Sequence, residues 1–185
     1  MTAPIHARSS QWTSRHSTSP VLKGLADEIW SFELGAGIRK AVPEDGKILE
    51  PKLRPEDIRE IRAVTTGPLH EAITKGINES PYTYTITLEG KPIAVFGVNH
   101  YSPTAGVIWL LGSEEMLKIK IPFLRQSPKW IEAFHQLYPV LFNVACIWNT
   151  LHIDWLKWLG FRFIREYKEY GLLKEPYIEF LSVKL

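Results

Sequence analysis

The residues best suited to proton transfer lie in the segment NTLHIDWLKWLGF, residues 149–161. Asn149 and His152 are three residues apart, so a helix would place both side chains along one edge. An imidazole titrates near neutral pH, which makes His152 a candidate acid or base; a hydrogen-bonded packing role is the alternative. His100, which follows the segment KPIAVFGV, is a second candidate base with the same alternative.

The segment that carries His152 has the pattern of an amphipathic helix. Leu156 falls on the same edge as Asn149 and His152, and Gly160 should end the helix. At about 100° per residue, a broad apolar arc forms beside that edge. This arc is predicted to pack on a sheet and comprises Leu151, Trp155, Trp158 and Leu159.

Composition limits the kind of protein that this chain can be. Its formal net charge is +2 over 185 residues, so no overall field favours nucleic acid or an anionic membrane. Cys146 is the only cysteine, and its apolar surroundings VLFNVACIW predict a buried residue in a protein of a reducing compartment. The longest apolar run, residues 107–111, is far shorter than the roughly 20 residues that cross a bilayer. We expect a soluble, intracellular protein with no metal site, since no His or Cys cluster has ligand spacing.

The chain is predicted to divide into an arm and one folded domain. Residues 1–37 form the arm: residues 1–20 are rich in Ser, Thr and Pro, and a short helix is possible over residues 21–32. Residues 38–185 form the domain. It opens with a short strand, IRKAV, and continues with three short helices, two of which begin with Pro-Glu-Asp.

The middle and the end of the chain alternate between strands and helices. YTYTITLEGKPIAVFGVNH predicts a hairpin, and VIWLLG predicts a strand that is buried on both faces and therefore central. A helix is expected over about residues 123–138, then the strand VLFNVACIW, the helix described above and two closing strands. This order predicts an α+β fold, with a mixed, mostly antiparallel sheet covered by helices on both faces.

Several motifs resemble known proteins. The helix pattern Asn-x-x-small-x-x-x-Tyr-x-x-x-Gly-Phe, matched at Asn149, Gly160 and Phe161, resembles the GCN5-related N-acetyltransferase (GNAT) superfamily. More closely, RPED, KPIAVFGV, IWLLGSEE, FLRQSPKW, YPVLFN and HIDWLKWLGF resemble the acetyltransferase-like internal virion or morphogenesis proteins of short-tailed, podovirus-type phages. The second resemblance extends from about Ile38 to the C-terminus.

The GNAT resemblance implies a site for acetyl-CoA. The cofactor would lie where two parallel strands, VIWLLG and VLFNVACIW, splay apart, and its pyrophosphate would meet the loop that follows the first. We expect this segment to include a basic loop, residues 117–129, that carries Lys118, Lys120, Arg125 and Lys129. The residues implied to contact the cofactor are Trp109, Leu110, Leu111, Gly112, Arg125 and Asn149.

The sequence also departs from the GNAT pattern. No glycine lies between Gly112 and Gly160, so the glycine-containing pyrophosphate loop is absent. A β-carbon at those positions would impede close approach of the backbone to a phosphate. Leu156 occupies the position of the tyrosine that acts as general acid, and His152 that of the small residue. On these grounds no cofactor is predicted, except acetyl-CoA if the protein is an enzyme.

Three functional hypotheses follow. The first is a structural phage virion or assembly protein of the internal core or head-to-tail region, made in the host cytoplasm. Its partners would be other virion proteins, which it would meet through the arm and the basic loop. The alternative is an active acyl-CoA-dependent N-acetyltransferase that modifies a host or phage protein, with His152 as a non-standard acid. The third is a folded adaptor, which exposure of Trp12 and Trp130 would favour.

Overall fold

The structure, a computed structural model, describes residues 35–184. The predicted arm helix over residues 21–32 and Trp12 lie outside the described residues. Within residues 35–184, no helix combines the length and the apolar character needed to span a membrane.

Among the residues that the structure describes, seven strands form one sheet, and helices connect them. The strands are β1 (Ala36–Lys40), β2 (Thr83–Leu88), β3 (Lys91–Ser102), β4 (Ala105–Gly112), β5 (Val140–Cys146), β6 (Arg162–Tyr170) and β7 (Glu175–Val183). The α-helices are α1 (Glu44–Leu49), α2 (Pro55–Arg62), α3 (Leu69–Asn78), α4 (Lys120–His135) and α5 (Thr150–Trp158). Two 3₁₀ helices, Glu50–Lys52 and Glu114–Ile119, precede α2 and α4.

The strand order is β1-β2-β3-β4-β5-β7-β6, which places β4 at the centre of the sheet. All neighbouring pairs are antiparallel except β4 and β5, which are parallel. The predicted α+β class and the central position of VIWLLG are therefore confirmed. The predicted hairpin is also present, and its turn is built by Glu89 and Gly90, both with positive φ.

Two apolar layers cover the two faces of the sheet. On one face, α4 and α5 pack over a core that includes Phe96, Trp130 and Phe134. On the other face, apolar side chains of α1 to α3, such as Leu49 and Ile73, pack with Val95 of β3. Trp130 is thus a core residue, so the exposure that would have favoured an adaptor is absent at this position. Cys146 is buried as predicted.

The prediction of a basic loop over residues 117–129 is wrong. This segment forms the end of a 3₁₀ helix and the first ten residues of α4. Its apolar side chains explain the difference, since Ile119, Phe123 and Trp130 fall at helical spacing and pack against the sheet.

The predicted orientation of α5 is also wrong. Leu151 and Trp158 were expected to pack on the sheet, but their exposed fractions are 50% and 56%. Leu156 is the buried residue, with 2% of its surface exposed, and Trp155 packs at the margin of the same core. Apolar side chains cover most of this helix, so its own pattern does not determine which side is buried. Contacts with residues elsewhere in the chain determine it.

Candidate active site

β4 and β5 pair over three residues each and then separate. Their parallel ladder begins at Ala105 with Val140 and ends at Val107 with Phe142. We call the gap beyond it, between residues 108–112 and residues 143–146, the strand opening. The splayed parallel pair expected from the GNAT resemblance is therefore present.

The side chain of Asn143 closes the narrow end of the strand opening. Its Nδ2 donates to the carbonyl of Ile108 over 2.8 Å, and its Oδ1 accepts from the N–H of Val144 over 2.8 Å. A side-chain amide thus takes the place of the next rung of the ladder, and β4 and β5 diverge from a defined residue.

Alternate peptide groups of β4 face the strand opening. The N–H of Val98 donates to the carbonyl of Tyr82, on the β2 side of β3. Ile108, which is paired with Val98, therefore directs its own peptide groups away from β3. The same alternation directs the peptide groups of Leu110 and Gly112 into the opening.

The outer end of this edge is held by α2 and the residue before it. The N–H of Gly112 donates to Oδ2 of Asp57 over 2.7 Å, and the carbonyl of Gly112 accepts from the N–H of Arg54 over 3.0 Å. Asn143 binds Ile108 at the inner end. Leu110 lies between these two points, and its peptide groups are the part of the β4 edge left for a ligand.

Glu60 is a carboxylate held at the strand opening by hydrogen bonds. Its Oε1 accepts from the N–H of Cys146 over 3.4 Å and from Nδ2 of Asn149 over 3.1 Å. The same oxygen lies 3.8 Å from Nδ1 of His152. Only 15% of the Glu60 side chain is exposed. Its hydrogen bonds connect α2 to the open end of β5 and to the start of α5.

The environment of Glu60 favours its ionised form. Burial by itself would raise the pKa of Glu60, but His152, Asn149 and the Cys146 N–H oppose burial and hold the pKa below its usual range. A carboxylate that stays ionised at neutral pH can attract an ammonium group and accept a hydrogen bond from it.

A large cleft of about 650 Å³ opens on the face of the sheet that α2 and α3 cover. Carboxylates outnumber cationic side chains among its lining residues. Glu60, Glu71 and Glu79 contribute negative charge, whereas Lys75 is paired with Glu79 at 3.6 Å. The cleft therefore favours a cationic group such as an alkylammonium.

Trp109 fixes one wall of the large cleft. Its Nε1 donates to Oδ1 of Asn99 over 2.6 Å. Its ring lies over Gly76 of α3, where a β-carbon would come within 3.0 Å of the ring. A glycine in this helix thus allows the indole to lie against the helix backbone.

Tyr177 lies in the same large cleft, on β7. Only 2% of its surface is exposed, and its hydroxyl has no hydrogen-bond partner among the described residues. Burial, and then the charge of Glu60, raise the pKa of Tyr177 well above its usual value. The hydroxyl therefore stays protonated. Tyr170 lies beside it, with ring centroids 4.7 Å apart.

On the opposite face, an apolar slot runs beneath α4 and α5 and reaches Trp109 and Leu110 of β4. Its free volume is about 40 Å³, and the rings of Phe123 and Trp155, 5.2 Å apart, form part of its wall. Three buried polar atoms that have no partner in residues 35–184 belong to residues lining this slot. They are Oε1 of Gln126, Nε1 of Trp130 and Nε1 of Trp155.

The structure brings some of the predicted site residues together. His152, Asn149, Trp109, Leu110, Leu111 and Gly112 all lie around the strand opening. Asn149 does so as the N-cap of α5, where its Oδ1 accepts from the N–H of His152 over 3.3 Å. Their roles in binding or catalysis stay predictions.

Two of the predicted site residues lie elsewhere. His100 pairs with Gly106 near the closed end of the β4–β5 ladder, and its ring lies 5.8 Å from that of Tyr138. Arg125 is exposed on α4 and lines neither the large cleft nor the apolar slot.

Sequence reasoning missed Glu60, Asn143 and Tyr177. Glu60 lies in the segment PEDIREIRAV, where it reads as one more charged residue of an exposed helix. A weak signal was available for Asn143, a polar residue within the otherwise apolar strand VLFNVAC. Such an interruption indicates a local partner or a ligand.

Comparison with known proteins gives structural neighbours only. No protein-family profile and no curated protein sequence matches the chain. Among solved structures, Ard1 from Thermoplasma volcanium is similar, with a TM-score of 0.65 and 16% identity over 82% of this chain and 99% of that one. The acetyltransferase of Salmonella typhimurium that modifies the N-terminal serine of ribosomal protein L7/L12 gives 0.61, with 12% identity over 85% and 99%.

A third neighbour is the microcin C7 self-immunity acetyltransferase MccE in complex with acetyl-CoA and AMP. Its TM-score is 0.60, with 11% identity over 81% of this chain and 93% of that one. Nothing in these comparisons supports the resemblance to phage virion proteins. At these identities the likeness establishes the architecture: residues 35–184 have the GNAT acetyltransferase fold.

Proposed function

We propose that this chain is an acyl-CoA-dependent N-acyltransferase that acts on a primary amine, with Glu60 as general base. The observation that carries the proposal is the placement of Glu60. A buried carboxylate is hydrogen-bonded into the same strand opening whose free edge, at Leu110, can pair with an amide. The fold of the structural neighbours supports the same reaction class.

The residues around the strand opening suit the pantetheine arm of an acyl-CoA. That arm is a chain with two amide groups, and each amide offers one donor and one acceptor. The peptide of Leu110 can pair with one of them. The unpartnered N–H groups of Trp130 and Trp155 and the unpartnered carbonyl of Gln126 supply further partners in the apolar slot. A slot of about 40 Å³ holds roughly one water, so entry of the arm requires its walls to separate.

The pyrophosphate would be held differently from the GNAT pattern. The N–H of Gly112 is taken by Asp57 and that of Ser113 by the carbonyl of Ile93. Glu114 and Glu115 already place negative charge at the start of the helix. The exposed side chain of Lys120 would supply positive charge instead, together with Lys118, whose Nζ lies 3.4 Å from Oε1 of Glu115.

The chain's own residues have separable roles in acyl transfer. A bound acyl-CoA would supply a thioester carbon for attack by the amine. Glu60 takes the proton that the incoming ammonium must lose, directly or through one water. Asn149 and the Cys146 N–H orient its carboxylate, and the carboxylates of the large cleft attract the ammonium.

Binding of the acyl donor is the first test. Calorimetric titration and thermal melts with acetyl-CoA and S-acetylpantetheine should show binding of both, and a ligand at one hundred times its Kd stabilises the fold by about 2.7 kcal/mol. Trp155→Phe keeps the ring packing but removes the slot N–H, so acetyl-CoA should bind about fivefold more weakly. Trp158→Phe, on the exposed side of α5, is the matched control. No binding at millimolar acetyl-CoA would reject the enzyme.

The second candidate is the structural virion or assembly protein. The occupied amides of Gly112 and Ser113 and the narrow slot favour it, as does the exposed apolar surface formed by Trp148, Leu151 and Trp158. This candidate predicts no response to acetyl-CoA. It also predicts that deletion of residues 1–20 reduces incorporation into particles, whereas unchanged incorporation would exclude docking through the arm.

A further inference from the structure

The acid that protonates the departing thiolate is not evident from the helix α5. The position where the GNAT pattern has a tyrosine is Leu156, which is buried in the core and has no proton to donate. An alkyl thiolate is a moderately basic leaving group, so an acid placed beside it lowers the barrier to its departure. The described residues around the strand opening therefore need a neutral O–H or N–H group in its place.

Tyr177 meets these requirements. It reaches the large cleft from β7, where it is paired with Cys146 at the open end of β5. Its hydroxyl is buried and has no partner in the described chain, although a buried hydroxyl without a hydrogen bond costs about 1 to 3 kcal/mol. A buried hydroxyl without a partner in the chain is retained when a ligand supplies its hydrogen bond. The cleft that would hold this ligand is lined by both Glu60 and Tyr177.

We infer that Tyr177 is the general acid of the acyl transfer and does from β7 what the tyrosine of α5 does in the GNAT pattern. This inference rests on the proposed function. Glu60 first takes one proton from the ammonium. The amine nitrogen then forms a bond to the thioester carbon, the C–S bond breaks, and the sulfur takes the proton of the Tyr177 hydroxyl. The tyrosinate recovers a proton from the acylated nitrogen, and Glu60 releases its own proton to water.

His152 is the competing acid. Its Nδ1 lies 3.8 Å from Oε1 of Glu60, and its backbone N–H is bound by Asn149. Its ring contacts Trp155 and Phe180, with centroids 5.8 Å and 6.1 Å away, as a packed core residue does. The geometry pairs His152 with the base, whereas Tyr177 lines the cleft with a buried hydroxyl that has no partner among the described residues.

Tyr177→Phe tests the inference, and Tyr101→Phe is the matched control. Tyr101 is exposed on β3 and lines neither the large cleft nor the apolar slot, so its variant removes a hydroxyl away from the site. With acetyl-CoA and a primary amine, Tyr177→Phe should lower kcat by about 10² to 10³. Its Kd for acetyl-CoA should stay within about twofold of the wild type, and Tyr101→Phe should keep kcat within about threefold.

A melting experiment separates catalysis from structure. Since the hydroxyl of Tyr177 has no partner, its removal should leave the melting temperature unchanged or raise it by a few degrees. A merely structural tyrosine would lower both stability and activity. A kcat for Tyr177→Phe close to that of the wild type, in a protein that still binds acetyl-CoA, would overturn the assignment. If the wild type binds no acetyl-CoA, the proposed function itself fails.

Discussion

Replacement of Glu60 by glutamine should separate the catalytic role of this residue from its structural role. Glutamine keeps an oxygen that can accept from Asn149 and from the Cys146 N–H, at 3.1 Å and 3.4 Å in the wild type. What is lost is the charge. A hydrogen bond to a charged group contributes about 1 kcal/mol more than a neutral one, so two such bonds should cost about 1 to 2 kcal/mol.

The expected change in melting temperature follows from the chain length. About 1 kcal/mol corresponds to roughly 2 to 4 °C in a chain of this size, so Glu60→Gln should melt about 2 to 8 °C lower than the wild type. Loss of a positioned general base should lower kcat/KM by about 10² to 10⁴. The activity loss is therefore far larger than the small fraction of unfolded protein can explain.

Thermal melts and initial rates with acetyl-CoA and a primary amine give both quantities. Glu56→Gln is the control, since Glu56 lies exposed on the same helix and carries the same change. Activity of Glu60→Gln within threefold of the wild type would refute the role of base. An unchanged melting temperature would refute the energetic argument drawn from its hydrogen bonds.

Two further predictions concern the fold. Oδ1 and Oδ2 of Asp45 accept from Arg39 over 2.6 Å and 2.8 Å, and Oδ2 also accepts from Thr85 over 2.6 Å. Asp45→Asn should therefore cost about 2 to 3 kcal/mol at neutral pH, as urea unfolding can measure. Burial alone would raise the pKa of Asp45, but these partners lower the pKa below its usual value. The ionised carboxylate therefore stabilises the fold above the usual aspartate pKa, and this stabilisation is lost as the pH falls through the lowered pKa. The wild type should lose its advantage over Asp45→Asn below about pH 4, and a difference independent of pH would contradict this linkage. Leu156→Tyr restores the tyrosine of the GNAT pattern in a filled core, and it should destabilise the fold by about 1 to 3 kcal/mol without increasing kcat. A stable, faster enzyme would show that the acid belongs on α5.

Much of the fold could be predicted because each strand carries a local signal. The hairpin over residues 83–102 shows β-rich runs on both sides of Glu-Gly, and VIWLLG shows the unbroken apolar character of a central strand. Periodicity predicts less about α5, whose apolar arc is too broad to show which part of it is buried. Asn149 and His152 contact Glu60, which is 89 residues before Asn149 in the chain and gives no local signal.

The site was less predictable because its polar groups meet only in three dimensions. Asn149 was expected to face a cofactor, and the structure shows it capping α5 and donating to Glu60. The pattern of one segment cannot reveal a partner from another helix. Tyr177 lies in PYIEFLSV, a strand in which an aromatic residue needs no further explanation, and only its unpartnered hydroxyl distinguishes it.

The side chain of Asn143 has a consequence for how the two strands resist unwanted pairing. Free strand edges recruit other strands, and proteins usually protect them at the outer rim of a sheet. Here the unprotected edges lie at the centre, between β4 and β5. Asn143 and Asp57 cover the two ends of the β4 edge, and Glu60 covers the N–H of Cys146 on β5. On β4 this leaves the peptide groups of Leu110, so this edge can add a single amide but not a whole strand, and the sheet can keep a central gap without offering a full strand edge.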